Sequence, residues 1–281
     1  MTKVDVVMLS LAVDKEVYNM NVQAISSLLE GNPSVEFQII LLESNPDFAN
    51  YGWEYAPQVT VAYPKSPFNF NAFNNIGLQH GNSDWVMFCN NDLVFHPGSV
   101  EAMLKIAGTH PQISCFCPVD SDSPHTPPGF FPAGCEYVEG YHVRTTFTGW
   151  CFLVKRSTFQ VTGPFDEQFD YYFADDDFTM VMRMHDIRSA AVPSAYVRHL
   201  AHITSQKASL DISGKFKEAQ RVFHLKWGSQ RSIAWKNRLV SYFLRPFGMT
   251  GLIRQLYGPK PSWKHSGPYT ETSKEPRGIS R

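Results

Sequence analysis

The sequence predicts an α/β fold: a mostly parallel central sheet flanked by helices, followed by a basic helical C-terminal extension. Three observations carry this. Strand-like and helix-like stretches alternate from residue 4 to residue 107. The strand-like stretches are nearly continuous apolar runs, the pattern of strands covered on both faces. Charge is divided along the chain: residues 1–204 hold 10 Lys/Arg against 22 Asp/Glu, and residues 205–281 hold 15 against 4.

The elements follow in order. Residues 4–11 are apolar and β-branched, a first buried strand. Asp14 caps a helix whose apolar positions Val17, Ile25, Leu28 and Leu29 recur near helical spacing, and Gly31 closes it. Residues 37–42 (FQIILL) are a second strand, ending at Glu43, and residues 59–62 a short third. Residues 71–79 read as a helix stopped by Gly81-Asn82-Ser83. Residues 85–89 are the fourth strand, and Pro97-Gly98 opens a helix over 99–107. Residues 118–135, rich in Pro, Ser and Gly, form a long loop of the kind that carries function. Further strands are expected over 146–154 and 190–198, with a helix over 178–185 between them.

A 281-residue chain that is 43% hydrophobic and 14% aromatic can bury a substantial core, which excludes a disordered chain. Five cysteines, an odd number without a CxxC pair, predict buried thiols in a reducing compartment. Cys115-Phe116-Cys117 lacks the spacing of a zinc site. The opening MTKVDVVMLSL reads as a strand rather than a signal peptide. No apolar run approaches about 18 residues, so no transmembrane segment and a cytoplasmic location are expected.

In open α/β sheets, ligands bind beyond the carboxyl ends of the strands. Glu43 ends the second strand there, and Asn90-Asn91-Asp92 ends the fourth. Alone, each reads as a turn, and Asp175-Asp176-Asp177 as an acidic first helical turn. Other motifs share their order: Asn75-Ile76-Gly77, Thr148-Gly149 through Lys155-Arg156, Gly163-Pro164-Phe165-Asp166-Glu167, and His199 with Thr204. As an ordered set, from residue 1 to about 205, these resemble the GT-A-fold, family 2 nucleotide-sugar glycosyltransferases, particularly the rhamnosyltransferase-like branch.

That resemblance implies specific roles. Asp92 stands at the end of the metal-binding D-x-D motif, with His199 or His202 completing the shell around Mn²⁺ or Mg²⁺. Ala12, Glu43, Asn75, Asn90 and Asn91 would line the nucleotide-sugar site, a UDP-sugar foremost. Asp175 matches the general base that activates an acceptor hydroxyl, with Asp176 and Asp177 beside it as alternatives. Trp150 and Gly149 would face the acceptor, and the family implies inversion at the anomeric carbon. The sequence departs from the pattern at Ala174, where an acid is usual, and at Asn90 and Asn91, where a further acid is usual.

The acceptor is read from the tail. Residues 206–257 interleave Lys and Arg with Phe, Trp and Tyr, suggesting amphipathic helices, and residues 258–281 are expected to be a flexible tail. Such a segment can pack on the core, lie on a membrane surface, or bind DNA phosphates and stack bases. The front portion is also similar to small glycosyltransferases of tailed phages, some of which decorate modified bases. This tips the expectation towards a hydroxylated base in phage DNA, in a host cytoplasm, ahead of a glycan or lipid-linked saccharide at a membrane surface. A non-catalytic carbohydrate-binding relative and a metal-dependent phosphohydrolase stand as further alternatives. The latter would need a second strand-end carboxylate, which Asn90 and Asn91 do not supply.

Overall fold

A computed structural model describes residues 1–200 except 121, 124, 127 and 128, together with 212–228 and 279–280. Its core is one twisted sheet. Strands β1 (Thr2–Ser10), β2 (Val35–Glu43), β3 (Val59–Pro64) and β4 (Trp85–Cys89) lie parallel in the order β3-β2-β1-β4. This reversal of direction about β1 makes a crevice between the loops that follow β1 and β4. The expected parallel sheet ends at β4. Beyond it, β8 (Cys151–Lys155) runs antiparallel to both β4 and β6 (Ile113–Asp120). Strand β9 (Arg188–His199) lies parallel to β6, and β5 (Leu93–Phe95) and β7 (Val138–Glu139) pair antiparallel with β9. At the far edge β10 (Ile279–Ser280) pairs antiparallel with β3.

Alternation along the strands sorts the core into two layers. On one face Val4, Val6 and Met8 of β1 pack with α1 (Lys15–Gly31) and α3 (Ser99–Thr109). On the other, Val7 packs with α2 (Phe70–His80), α4 (Thr158–Thr162) and α5 (Ala174–Met184). Helix α1 starts where Asp14 accepts from Val17 N at 2.9 Å, and α2 where Asn69 accepts from Ala72 N at 2.9 Å. Gly77 allows α2 to press on β1: a Cβ there would sit 2.3 Å from Val7 Cγ1. Arg156 ties the opposite end of the sheet together. Its buried guanidinium pairs with buried Asp5 and donates to the carbonyls of Ser83 at 2.7 Å and Leu78 at 2.6 Å.

The strand expected over 146–154 is shorter than the pattern suggested. Residues 142–147 form a tight turn in which three backbone N–H groups converge on the His142 carbonyl, and only Cys151–Lys155 is strand. Helix α5 begins earlier than expected, so the acidic run forms its first turn. Helix α6 (Ile212–Trp227) is the described part of the C-terminal extension. It buries Ala219, Phe223 and Trp227 against Phe169, Ala174 and Val181. The rest of residues 206–257, and the tail apart from β10, lie outside the described residues.

Candidate active site

One sheet edge gathers the predicted residues. The carboxyl ends of β1, β2, β4, β6 and β9 point to it. So does the amino end of β8, because that strand runs the other way.

At the β1–β2 end, Glu43 is 1% exposed and already engaged. Ser10 Oγ donates to its Oε2 at 2.7 Å, while Ala12 N and Asn45 N donate to its Oε1 at 3.1 and 2.7 Å. Burial pushes its proton affinity up against these bonds. Ser10 Oγ in turn accepts from Asn21 Nδ2 at 2.7 Å, and Asn21 Oδ1 accepts from Asn91 Nδ2 at 2.7 Å. A buried polar chain thus runs from the end of β2 to the loop after β4. Glu43, Ala12 and Asn91 therefore build the floor of the crevice, with both Glu43 carboxylate oxygens accepting from the protein. Asn75 clamps the backbone of Phe165 through bonds of 3.0 and 2.9 Å and reaches Glu167 at 3.1 Å, so it fixes the 163–167 segment.

The loop after β4 carries Asp92. The short strand β5, which pattern reading passed over, pairs Leu93 with His199 of β9, and Leu200 N donates to the Asp92 carbonyl at 2.8 Å. That pairing brings His199 Nε2 to 3.2 Å from Asp92 Oδ1. The approach lacks hydrogen-bond geometry: Asp92 Oδ1 is buried without a hydrogen-bond partner. Two neighbouring ligands of an octahedral Mg²⁺, each about 2.1 Å from it, stand roughly 3 Å apart. The orphaned oxygen and the imidazole nitrogen fit that spacing. No cluster of three His, Cys, Asp or Glu side chains that could hold a metal occurs among the described residues. His202 lies outside the described residues. Asp120, at the carboxyl end of β6, has its Oδ1 3.5 Å from His199 N. Like Asp92, it is an acid at the end of an apolar strand, the signal that marks it in the sequence.

Trp150 and Gly149 join this half to the acids. The Trp150 ring stacks on His199 at 5.3 Å and 24°, and its carbonyl accepts from Asn90 N at 2.8 Å. The face of Trp150 expected to meet the acceptor is thus covered in part by the His199 ring. Gly149 touches α5: a Cβ there would lie 2.6 Å from Asp175 Cβ and 2.8 Å from its Oδ2.

The three acids separate. Burial raises the proton affinity of Asp175, against the pull of neighbouring N–H groups and Arg144, and Asp176 N donates to its Oδ1 at 3.0 Å. Asp176 is pushed up to about 6 by burial and by Asp175, with Arg144 and His142 opposing. Asp177, 2% exposed, turns inward: Trp227 Nε1 donates to its Oδ1 at 2.6 Å and Lys226 Nζ to its Oδ2 at 2.8 Å. It is a buried anchor for α6 and is closed to substrate.

A model of glycosyl transferase family 2 matches residues 20–160, about half of the chain. That span includes Glu43, Asn75, Asn90–Asp92, Gly149 and Trp150 and stops short of the α5 acids and His199. The chain is also similar to the N-acetylglucosaminyl-diphospho-decaprenol L-rhamnosyltransferase of Mycobacterium tuberculosis, in strains CDC 1551 / Oshkosh and ATCC 25618 / H37Rv. Identity is 29% over 162 residues, 48% of this chain and 53% of the relative, in each case. The chain spans about half the length of these curated relatives.

Proposed function

The chain belongs to glycosyl transferase family 2, and from that premise we propose that it moves a sugar from a nucleotide-sugar donor to an acceptor hydroxyl, with inversion at the anomeric carbon. The observation that carries this is the bridge made by two adjacent residues. Trp150 stacks on His199, beside Asp92, while Gly149 lies against Asp175. A charge-binding half and a proton-accepting half thereby face one crevice.

The chemistry divides accordingly. A bound Mn²⁺ or Mg²⁺ would neutralise charge on the departing diphosphate, held by Asp92 and His199. Asp175, its Oδ1 fixed by Asp176 N, accepts the proton of the acceptor hydroxyl as that oxygen bonds to the anomeric carbon. The bond from that carbon to the diphosphate breaks on the opposite side, and the nucleoside diphosphate leaves. Burial keeps the carboxylates basic enough for the transfer.

The acceptor is a saccharide carried on a diphospho-lipid, a reading supported by the name of the Mycobacterium relatives. The packing of α6 also weakens the DNA alternative, because Phe223, Lys226 and Trp227 face the core and are lost to a stacking or phosphate-binding platform. Among the described residues no helix is long and apolar enough to cross a membrane.

The test is a panel of UDP-, GDP-, dTDP- and CMP-sugars, with Mn²⁺ or with EDTA. Acceptors are an N-acetylglucosaminyl diphospho-lipid, the lipid-free sugar, and hydroxymethylated duplex DNA. Transfer to the lipid-linked sugar supports the proposal, transfer to DNA alone overturns the acceptor, and no turnover of any donor overturns the transferase reading.

A further inference from the structure

Asp177 takes no part in the acid pair, yet its surroundings are elaborate. Lys226 Nζ reaches both Asp177 and, at 2.6 Å, Asp166 Oδ2, and all three side chains are largely or fully removed from water. One cation therefore offsets a carboxylate on α5 and another on the segment leading to it. Asp170, in the same segment, pairs with Lys215 of α6 at 2.6 Å. Between these contacts Phe173 caps α5 in a left-handed conformation (φ 61), which an aromatic residue rarely adopts. Its ring lies 5.4 Å from Phe216 and 5.3 Å from Phe223, both on α6. The strained start of α5 is thus held from behind by α6, and the residue after next, Asp175, is the proposed base.

We propose that Lys226 is a positioning residue for the transfer reaction: by neutralising Asp177 and anchoring the start of α5, it confines the negative charge of that turn to Asp175 and Asp176. The C-terminal helix is then part of the catalytic architecture and not an appendage. The kinetic form of this inference rests on the transferase reading. The charged groups facing the turn are Asp166 and Lys226 on the α6 side, and Arg144 and His142 on the open side.

The experiment compares Asp177→Asn, Lys226→Met and the double variant in the full chain, by pH–rate profile and by ¹³C titration of the Asp175 and Asp176 carboxyls. Asp177→Asn removes one negative charge from the cluster and leaves Lys226 balanced by Asp166 alone, so the acid limb should move down by about half a unit or more. Lys226→Met should move it up by a similar amount. The double variant restores the net charge and should return the limb to within about 0.2 units of wild type. Removing one partner of a buried pair can unfold a protein, whereas neutralising both is tolerated. Should Lys226→Met not fold, the contrast between Asp177→Asn and the double variant decides. Limbs and titrations that stay at wild-type values in both would overturn the proposal. A wild-type chain with no donor turnover would defeat the transferase reading separately, and the ¹³C titration would then still decide the role of Lys226.

Discussion

Replacing Gly149 with alanine adds one methyl group at the point where the two halves of the site meet. The backbone there is not left-handed, so alanine is free to adopt it and the effect isolates the contact. The new Cβ would stand 2.6 Å from Asp175 Cβ and 2.8 Å from Oδ2. Carbon atoms rest at about 3.5–4.0 Å, so Asp175 or the start of β8 must give by roughly 1 Å. Misplacing a reacting group by that much costs on the order of 10²-fold, about 2.7 kcal/mol at the barrier. Initial rates at saturating donor and acceptor should therefore show kcat falling about 100-fold, while donor affinity, measured calorimetrically, changes little. Gly108→Ala on α3, where a Cβ meets nothing within 4 Å, serves as the neutral control. A kcat for Gly149→Ala within about threefold of wild type would refute the placement of Asp175 at the reacting centre.

Asp92→Asn keeps the shape of the loop but removes the charge that faces His199. Mn²⁺ binding by calorimetry should weaken by tenfold or more, with turnover lost in parallel; unchanged metal binding would move the ion elsewhere. The rate should fall as pH is lowered through the range to which burial raises the Asp175 carboxyl, above the ordinary carboxylate value, because a base must be ionised to accept a proton. The stability trend has the opposite sign. Asp176 and Asp177 both bind protons more tightly when folded, so their contribution is full below about 4 and is lost as pH rises through about 6. A pH–rate profile flat from 5 to 8 would exclude this assignment. Arg156→Met leaves Asp5 buried and unpaired, at a cost of about 3–5 kcal/mol, read as a melting point lower by on the order of 10 °C. Turnover per folded molecule should be preserved, since the pair lies at the other end of the sheet.

The legible parts of the fold were those whose signal is local. Strand β4 spans Trp85–Cys89 as read from the apolar run, because Ser83-Asp84 and Asn90-Asn91 bound it sharply. Asp14 caps α1 as expected. Strand β8 was overextended because Phe147 is apolar and fully buried, yet it enters the core from a turn. Three-residue β5 is too short to show a period, although it is what delivers His199 to Asp92. In the candidate site, the polar side chains whose surroundings were hardest to read share one trait: their partners are remote in sequence. Asn75 bonds 90 residues away to Phe165, and Asp177 meets Lys226 49 residues on. No local pattern distinguishes such a polar side chain from one that faces a substrate.

The buried chain Glu43–Ser10–Asn21–Asn91 ties together four positions that lie far apart in sequence. Ser10 and Asn21 each donate one of these bonds and accept another, while Glu43 accepts and Asn91 donates at the ends, so a replacement at one position strands its neighbour away from water. The positions on β2, β1, α1 and the β4 loop are therefore one heritable unit. Double substitutions along the chain should depart from additivity by about 1 kcal/mol or more in a thermodynamic cycle, and an additive result would show the links to be independent. A variant library that randomises Glu43 alone leaves Ser10 without its acceptor in most members; one that varies all four positions together can restore the missing bonds.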